Sequence, residues 1–299
     1  ADSVDGQGVG SAYLELMKLL NEDGKNDFEI FLNKGTKYDV IHAHTVEPRN
    51  YLKLKFSKNP TVAYVHFLPD TLDGSIKLPK PIFKIFKKYV ISFYKSADYL
   101  VVVNPIFKKD IAKAGIKEDK ITYIPNFVSK EMFYKKTDKE IKDIRKKFVV
   151  LGAGQIQNRK GVIDFVEVAK KLPKIDFIWA GGFSFGGITD GHHDLKKIME
   201  NPPKNVRFLG IVPRNEMNDL FNASDLLFVP SYNELFPMTI LEAISTDTPI
   251  LLRDLELYED ILFKKYLKGS NNDEFSEIIK LLSKDKKEYQ KQVENAKKY

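Results

Sequence analysis

The sequence predicts an α/β protein of two Rossmann-like domains with a cleft between them. Three observations point there. Short apolar runs alternate with amphipathic helical patterns along most of the chain, which argues for parallel sheets with right-handed crossovers. The runs are near-continuous in Val, Ile and Leu, as strands buried on both faces require. A charged segment, 129–147 (SKEMFYKKTDKEIKDIRKK), separates two such series.

The elements follow in order. The first series reads as strands over 39–45, 61–67, 98–104 and 120–126, with helices or turns over 51–56, 81–94 and 106–114. The second reads as strands over 147–154, 175–182, 205–211, 225–231 and 249–254, with helical segments over 162–171, 214–221 and 239–245. This gives an N-terminal domain over 1–128, a linker over 129–147 and a C-terminal domain over 148–282. A charged helix over 283–299 is placed back across the first domain.

Composition bounds the function classes. The chain has 299 residues, 43% hydrophobic and 30% charged, as a folded globular protein does. It has no cysteine, which removes disulfides and thiolate metal sites and fits a reducing cytoplasm. No apolar run approaches the roughly 18–20 residues of a spanning helix, and no signal peptide is visible. The formal net charge of +7 suggests an anionic partner, against the plainer reading of a solvated lysine surface.

The densest chemical signal is FVPSYNELFPMTILEAIS, 228–245. In open α/β sheets ligands sit beyond the C-terminal ends of strands, so 232–237 is a ligand-side loop. Pro237 suits a first helical position, and the helix it opens offers free N–H groups to a phosphate. Glu234 lies in the loop and Glu242 about one and a half turns into the helix. Two carboxylates repel a phosphate, but they serve well as acceptors for a sugar hydroxyl at one end and a ribose hydroxyl at the other.

The spacing E-x7-E, with PS before it and EA at its end, resembles the family-4 retaining glycosyltransferases of the GT-B fold. GAGQIQNRKGVIDFVEVAKKL and GQGVGSAYLELMKLL resemble the family's post-linker segment and its N-terminal glycine loop with first helix. The resemblance implies roles. Glu234 contacts donor-sugar hydroxyls, Glu242 the ribose, and Lys160 neutralises the diphosphate. Gly8 and Gly10 let backbone approach the diphosphate or acceptor, and His66 stands near the reacting sugar. Phe236, Pro237 and Met238 belong to the donor loop. Against these stand the plainer readings of Lys160 as a solvated lysine before a helix and of a strand-end histidine, which on its own is more often structural, for His66. There are departures. Gln155 stands where the family has Arg, with Arg159 a candidate to supply the charge, and Pro237 stands where Gly is usual. A strand before the glycine loop is missing, which implies further residues before Ala1 and near Lys147.

Residues 77–95 (KLPKPIFKIFKKYVISFYK) carry six lysines and no acid. On a helical wheel Ile82, Ile85, Phe86, Tyr89, Val90 and Phe93 share one face and Lys84, Lys87, Lys88 and Lys95 another, with Ile91 among the cations. Such a helix lies on an anionic membrane, or is a core helix with a solvated lysine face. Members of the family that reach lipid acceptors use a first-domain surface of this kind. No RNA module or stacking platform is visible, so nucleic acid is not expected. His42 and His44 alternate along one strand and, with no third ligand, make a weak metal site. His192 and His193 sit in a glycine-rich loop read as facing the acceptor.

Together these readings imply a retaining hexosyltransferase at the inner face of the cell membrane. UDP-glucose or UDP-galactose is its donor and diacylglycerol or a monoglycosyl-diacylglycerol its acceptor, with no tightly bound cofactor and no metal. The alternatives are the same chemistry on a soluble or polysaccharide acceptor, and a non-catalytic partner subunit.

Overall fold

The computed structural model describes residues 8–25, 27–34, 37–69, 79–137, 147–183, 191–234, 236–262 and 265–299. The described residues divide into two compact units, one within 9–127 and one over 128–299.

The first unit opens with helix α1 (Gly8–Glu22). Its sheet is fully parallel, in the order β1 (Ile41–Ala43), β2 (Thr61–Val65), β3 (Tyr99–Val102) and β4 (Ile121–Tyr123). Helices α2 (Pro48–Phe56), α3 (Lys80–Lys95) and α4 (Ile106–Lys113) make the crossovers. Asp98 sets where β2 and β3 begin: one carboxylate oxygen accepts from both the Thr61 N–H (2.9 Å) and the Thr61 hydroxyl (2.8 Å). Val90, Phe93 and Tyr94 of α3 are buried, and the Tyr94 hydroxyl donates to the Phe67 carbonyl at 2.7 Å. The buried face of α3 is narrower than the wheel predicts. Ile82 and Ile85 stand 52% and 68% exposed.

The second sheet holds β5 (Val149–Ala153), β6 (Asp176–Ala180), β7 (Val206–Gly210), β8 (Leu226–Val229), β9 (Ile250–Arg253) and β10 (Leu267–Gly269). Its order is β10-β9-β8-β5-β6-β7, and every pairing is parallel. The chain starts at the centre, steps outward through β6 and β7, then returns to the other side of β5. The switch point between β5 and β8 is where such sheets open a crevice for a ligand. Adjacent strand residues feed opposite cores. Phe228 and Val150 join one cluster with Phe165, Phe177, Trp179 and Phe275, while Leu227 and Leu151 join another with Phe133, Phe221, Ile240 and Tyr258. Helices α5 (Val162–Lys171), α6 (His192–Glu200) and α9 (Asn272–Lys284) therefore cover one face, and α7 (Arg214–Asn222) and α8 (Met238–Ser245) the other.

Several segments differ from the sequence reading. Residues 129–137, read as linker from their charge, strap onto α7. Phe133 is fully buried. The Asn218 side chain accepts from the Tyr134 N–H, and the Asn222 side chain accepts from the Lys136 N–H and donates to the Tyr134 carbonyl. One buried aromatic outweighs a run of solvated lysines; the rest of that segment, 138–146, lies outside the described residues. The C-terminal helix α10 (Lys286–Ala296) is capped by the Asp285 side chain. It packs on α9, with the Tyr289 ring 5.8 Å from Phe148, both contacts within the second unit. Three elements escape the pattern reading. β10 is too short to show a period, α9 was not separated from its flanks, and α6 follows a glycine-rich stretch whose residues 184–190 lie outside the described set.

Candidate functional site

At the C-terminal end of β5 the chain crosses Gly154, then turns through residues 158–160 into Gly161. Gly161 adopts φ +68, and a Cβ there would come within 2.4 Å of the Pro230 carbonyl oxygen, so a side chain is excluded. That turn places Lys160 beside the loop leaving β8. The Lys160 ammonium pairs with one oxygen of Glu234, and the Arg159 guanidinium lies 3.6 Å from the other. Arg159 also donates to the Asn233 carbonyl at 2.6 Å and accepts, through its own carbonyl, the Tyr232 N–H at 2.8 Å. Two segments 74 residues apart are thus locked together at the switch point.

Glu234 is only 5% exposed. Burial alone would raise its carboxyl; the Lys160 and Arg159 charges outweigh burial and hold it below the usual carboxylate range. Burial lowers the Lys160 ammonium, against the pull of Glu234. Behind Arg159, the Gln157 side chain accepts from the guanidinium (3.4 Å) and donates to Gln155 (2.6 Å). Gln155 is a buried amide in this relay.

Glu242 is also buried. It pairs with Arg214 of α7 at 3.1 Å, and Arg214 lies over the Phe133 ring, 5.1 Å from its centroid. The structure starts α8 at Met238, with Pro237 as the residue before the first helical position rather than in it. The Met238 side chain is buried and Phe236 packs on the core.

In the first unit His66 follows β2. His44 Nδ1 and His66 Nε2 are 3.2 Å apart, so one ring donates to the other. Tyr64 stacks on both rings, at 5.1 and 4.7 Å between centroids, and Tyr13 of α1 meets His44 edge-on at 5.1 Å. The neighbouring His42 ring lies 4.3 Å from His44. No group of three or more potential ligands placed to hold a metal occurs among the described residues. Burial lowers His66 to about 4 and His44 further still. Both rings are neutral at pH 7. The unfolded chain takes up protons near 6.5 that the native rings refuse, so this contribution to stability is intact above 6.5 and is lost as pH falls towards 4. Urea-unfolding midpoints are expected to fall between pH 7 and 4.5, and His66→Asn to flatten that fall; an unchanged slope would show that the rings are not the titrating groups.

Gly8 and Gly10 lie in the first turn of α1 rather than in a loop, so the special backbone freedom of glycine is not in use at either. His192 and His193 open α6, with the His192 ring 4.5 Å from Phe183. On α3, Lys84, Lys87, Lys88, Ile91 and Lys95 line one open groove of about 560 Å³ together with Ser92. No helix among the described residues is long and apolar enough to cross a membrane.

Residues 134–299 match the family described as glycosyl transferases group 1, and residues 26–131 match glycosyltransferase family 4. The chain belongs to these glycosyltransferases. It is 48% identical over 288 residues to alpha-galactosylglucosyldiacylglycerol synthase of Streptococcus pneumoniae, covering 93% of this chain and 77% of that protein. It is 30% identical over 291 residues to processive diacylglycerol alpha-glucosyltransferase of Acholeplasma laidlawii, covering 94% and 85%. Among solved structures it resembles Anabaena HepE in complex with UDP and glucose (TM-score 0.72, 19% identity, 87% of this chain and 71% of that one). It also resembles WaaG, a glycosyltransferase involved in lipopolysaccharide biosynthesis (TM-score 0.68, 14% identity, 98% and 91%). The fold of this glycosyltransferase is therefore GT-B, as the motifs imply. Residues around this site that no sequence pattern singled out include the cations Arg214 and Arg253 and the buried amide Gln157.

Proposed function

We propose that this glycosyltransferase moves glucose or galactose from its UDP-sugar to diacylglycerol or a monoglycosyl-diacylglycerol, with retention, at the inner face of the cell membrane. One observation carries the donor half. A buried carboxylate is held between two cations at the topological switch point, where open α/β sheets take nucleotides. Lys160 and Arg159 neutralise the departing diphosphate, with the free N–H groups at the start of α8, around Phe236, Pro237 and Met238, adding to them. Glu234 accepts from hexose hydroxyls and Glu242 from the ribose. Gly8 and Gly10 bring backbone close to the diphosphate or acceptor, and neutral His66 stands by the reacting sugar. The acceptor hydroxyl attacks the face the diphosphate leaves. No metal and no tightly held cofactor enters this scheme.

The acceptor half is supported by the names of the two relatives, both of which act on diacylglycerol lipids. The membrane surface is supported by α3. Ile91 lines the groove among the lysines, and Ile82 and Ile85 of the same helix are exposed, an apolar and cationic combination suited to an anionic bilayer. Each basic residue near such a surface is worth about 1 kcal/mol. The combined Lys84→Glu, Lys87→Glu and Lys88→Glu variant is therefore expected to lose most co-sedimentation with phosphatidylglycerol vesicles, and the parent to lose it as salt rises. Vesicle binding that ignores both changes would rule out α3 as the contact.

The experiment for the whole reading is UDP release from UDP-glucose and from UDP-galactose, with vesicles containing diacylglycerol or glucosyl-diacylglycerol and with none. Release that requires one sugar and one lipid is the expected result. Release that is indifferent to lipid, or absent with every lipid, overturns the lipid acceptor.

A further inference from the structure

We propose that Arg253 is a positioning residue for the donor sugar, acting through the loop that carries Glu234 and touching no substrate itself. This rests on the reading that Glu234 contacts the hexose. Arg253 ends β9 and is 8% exposed, and its donors point three ways. Nε donates to the Pro230 carbonyl at 2.8 Å, Nη1 to the Ser270 carbonyl at 3.1 Å, and Nη2 to the Asp164 carboxylate at 2.7 Å. The guanidinium also lies 3.9 Å from the centroid of the Tyr232 ring. Asp164 and Tyr232 therefore meet on Arg253, in a triangle over the end of β8.

The triangle grips the two stretches of backbone from which the Lys160–Glu234 pair springs. Pro230, whose carbonyl Arg253 holds, stands against Gly161, the residue after Lys160. Tyr232, whose ring Arg253 covers, bonds through its N–H to the Arg159 carbonyl, one residue before Lys160. Glu234 is the next residue but one. Arg159 ties Tyr232 and Asn233 to the Lys160 turn from one side, and this clamp fixes the same stretch from the β9 side. The loss of about 1 Å of placement in such a site costs on the order of 10²-fold. Lysine cannot replace the group. A single ammonium can satisfy Asp164, but it lacks the planar fork that reaches Pro230, Ser270 and the ring together.

The test is calorimetric binding of UDP, UDP-glucose and UDP-galactose to the full chain. The variants are Arg253→Gln, Arg253→Lys, Tyr232→Ala and Glu234→Ala, with each of the first three also combined with Glu234→Ala. Arg253→Gln and Tyr232→Ala are expected to weaken the preferred UDP-hexose about tenfold or more while UDP changes less than about twofold, with Arg253→Lys between. In the Glu234→Ala background the same changes are expected to add less than about twofold, because the residue they act through is gone. Tyr232 is 55% exposed, so its truncation keeps the comparison available if Arg253→Gln does not fold. Equal weakening of UDP and UDP-hexose, or full extra loss in the double variants, would reduce Arg253 to a packing residue. If Glu234→Ala weakens UDP-hexose and the Arg253 and Tyr232 variants do not, the clamp alone falls. If Glu234→Ala binds UDP-hexose like the parent, the donor reading falls and takes the clamp with it.

Discussion

Glu234→Ala is expected to lower kcat/KM for the UDP-hexose by about 10²–10³-fold while UDP affinity stays within about threefold. The selectivity follows from the role. In the proposed role the carboxylate meets hydroxyls of the hexose, which UDP lacks. Truncation also strands the Lys160 ammonium in a buried setting, where an unpaired ion costs about 3–5 kcal/mol. Glu234→Gln separates the two effects, since it keeps the shape and an acceptor oxygen but removes the charge. Steady-state kinetics and UDP titration on both variants, with a thermal midpoint for each, check this. A Glu234→Ala enzyme with parental turnover would end the assignment.

Lys160→Ala is expected to show the opposite selectivity. Its partner in the proposed chemistry is the diphosphate, so UDP and UDP-hexose should weaken together. The loss of a charge-assisted hydrogen bond, about 1.5–3 kcal/mol, corresponds to roughly 10–150-fold in affinity. Turnover should fall further, by about 10²–10³-fold, because negative charge grows on the diphosphate as it leaves. Glu234 would keep Arg159, 3.6 Å away, as its remaining cation. The two variants form a crossed pair: one spares UDP and the other does not. If both change UDP and UDP-hexose binding in the same proportion, the division of labour between the residues is wrong.

The parts of the protein that could be read in its sequence are those whose signal is local. β3, β5, β8 and β9 announce themselves as apolar runs because burial on both faces leaves little room for a polar position, whereas β1, β4 and β7 carry exposed residues such as His42, Thr122 and Arg207. β10, three residues long, has no room for such a run. Glu234, Glu242 and Lys160 were recognisable because a family resemblance fixes their spacing. Arg214 and Arg253 were not. Nothing near Arg214 in the sequence says that it meets Glu242 across a helix pair, and Arg253 looks like any strand-end arginine until the sheet brings β9 beside β8. Phe133 illustrates the converse error. It sits among lysines, so composition reads linker, yet one fully buried ring decides where the chain goes. Gly8 and Gly10 are read from sequence as a loop that lets backbone approach a ligand, and the structure places both in the first turn of α1.

The strand order of the second sheet also governs when the site can come into being. β5 must find β8 across a long intervening stretch of the unit. Val149 donates its N–H to Asp225, 76 residues further on, and every other neighbour in the sheet is much closer in sequence. On a growing chain, β5, β6 and β7 can assemble first, leaving one side of β5 open as an unpaired edge until β8 is made. During that interval the half-sheet offers a template to any extended segment nearby, and the Lys160 ammonium has no Glu234 to meet. Donor binding is thus acquired late in synthesis, and a chain halted before β8 is expected to be a client for chaperones.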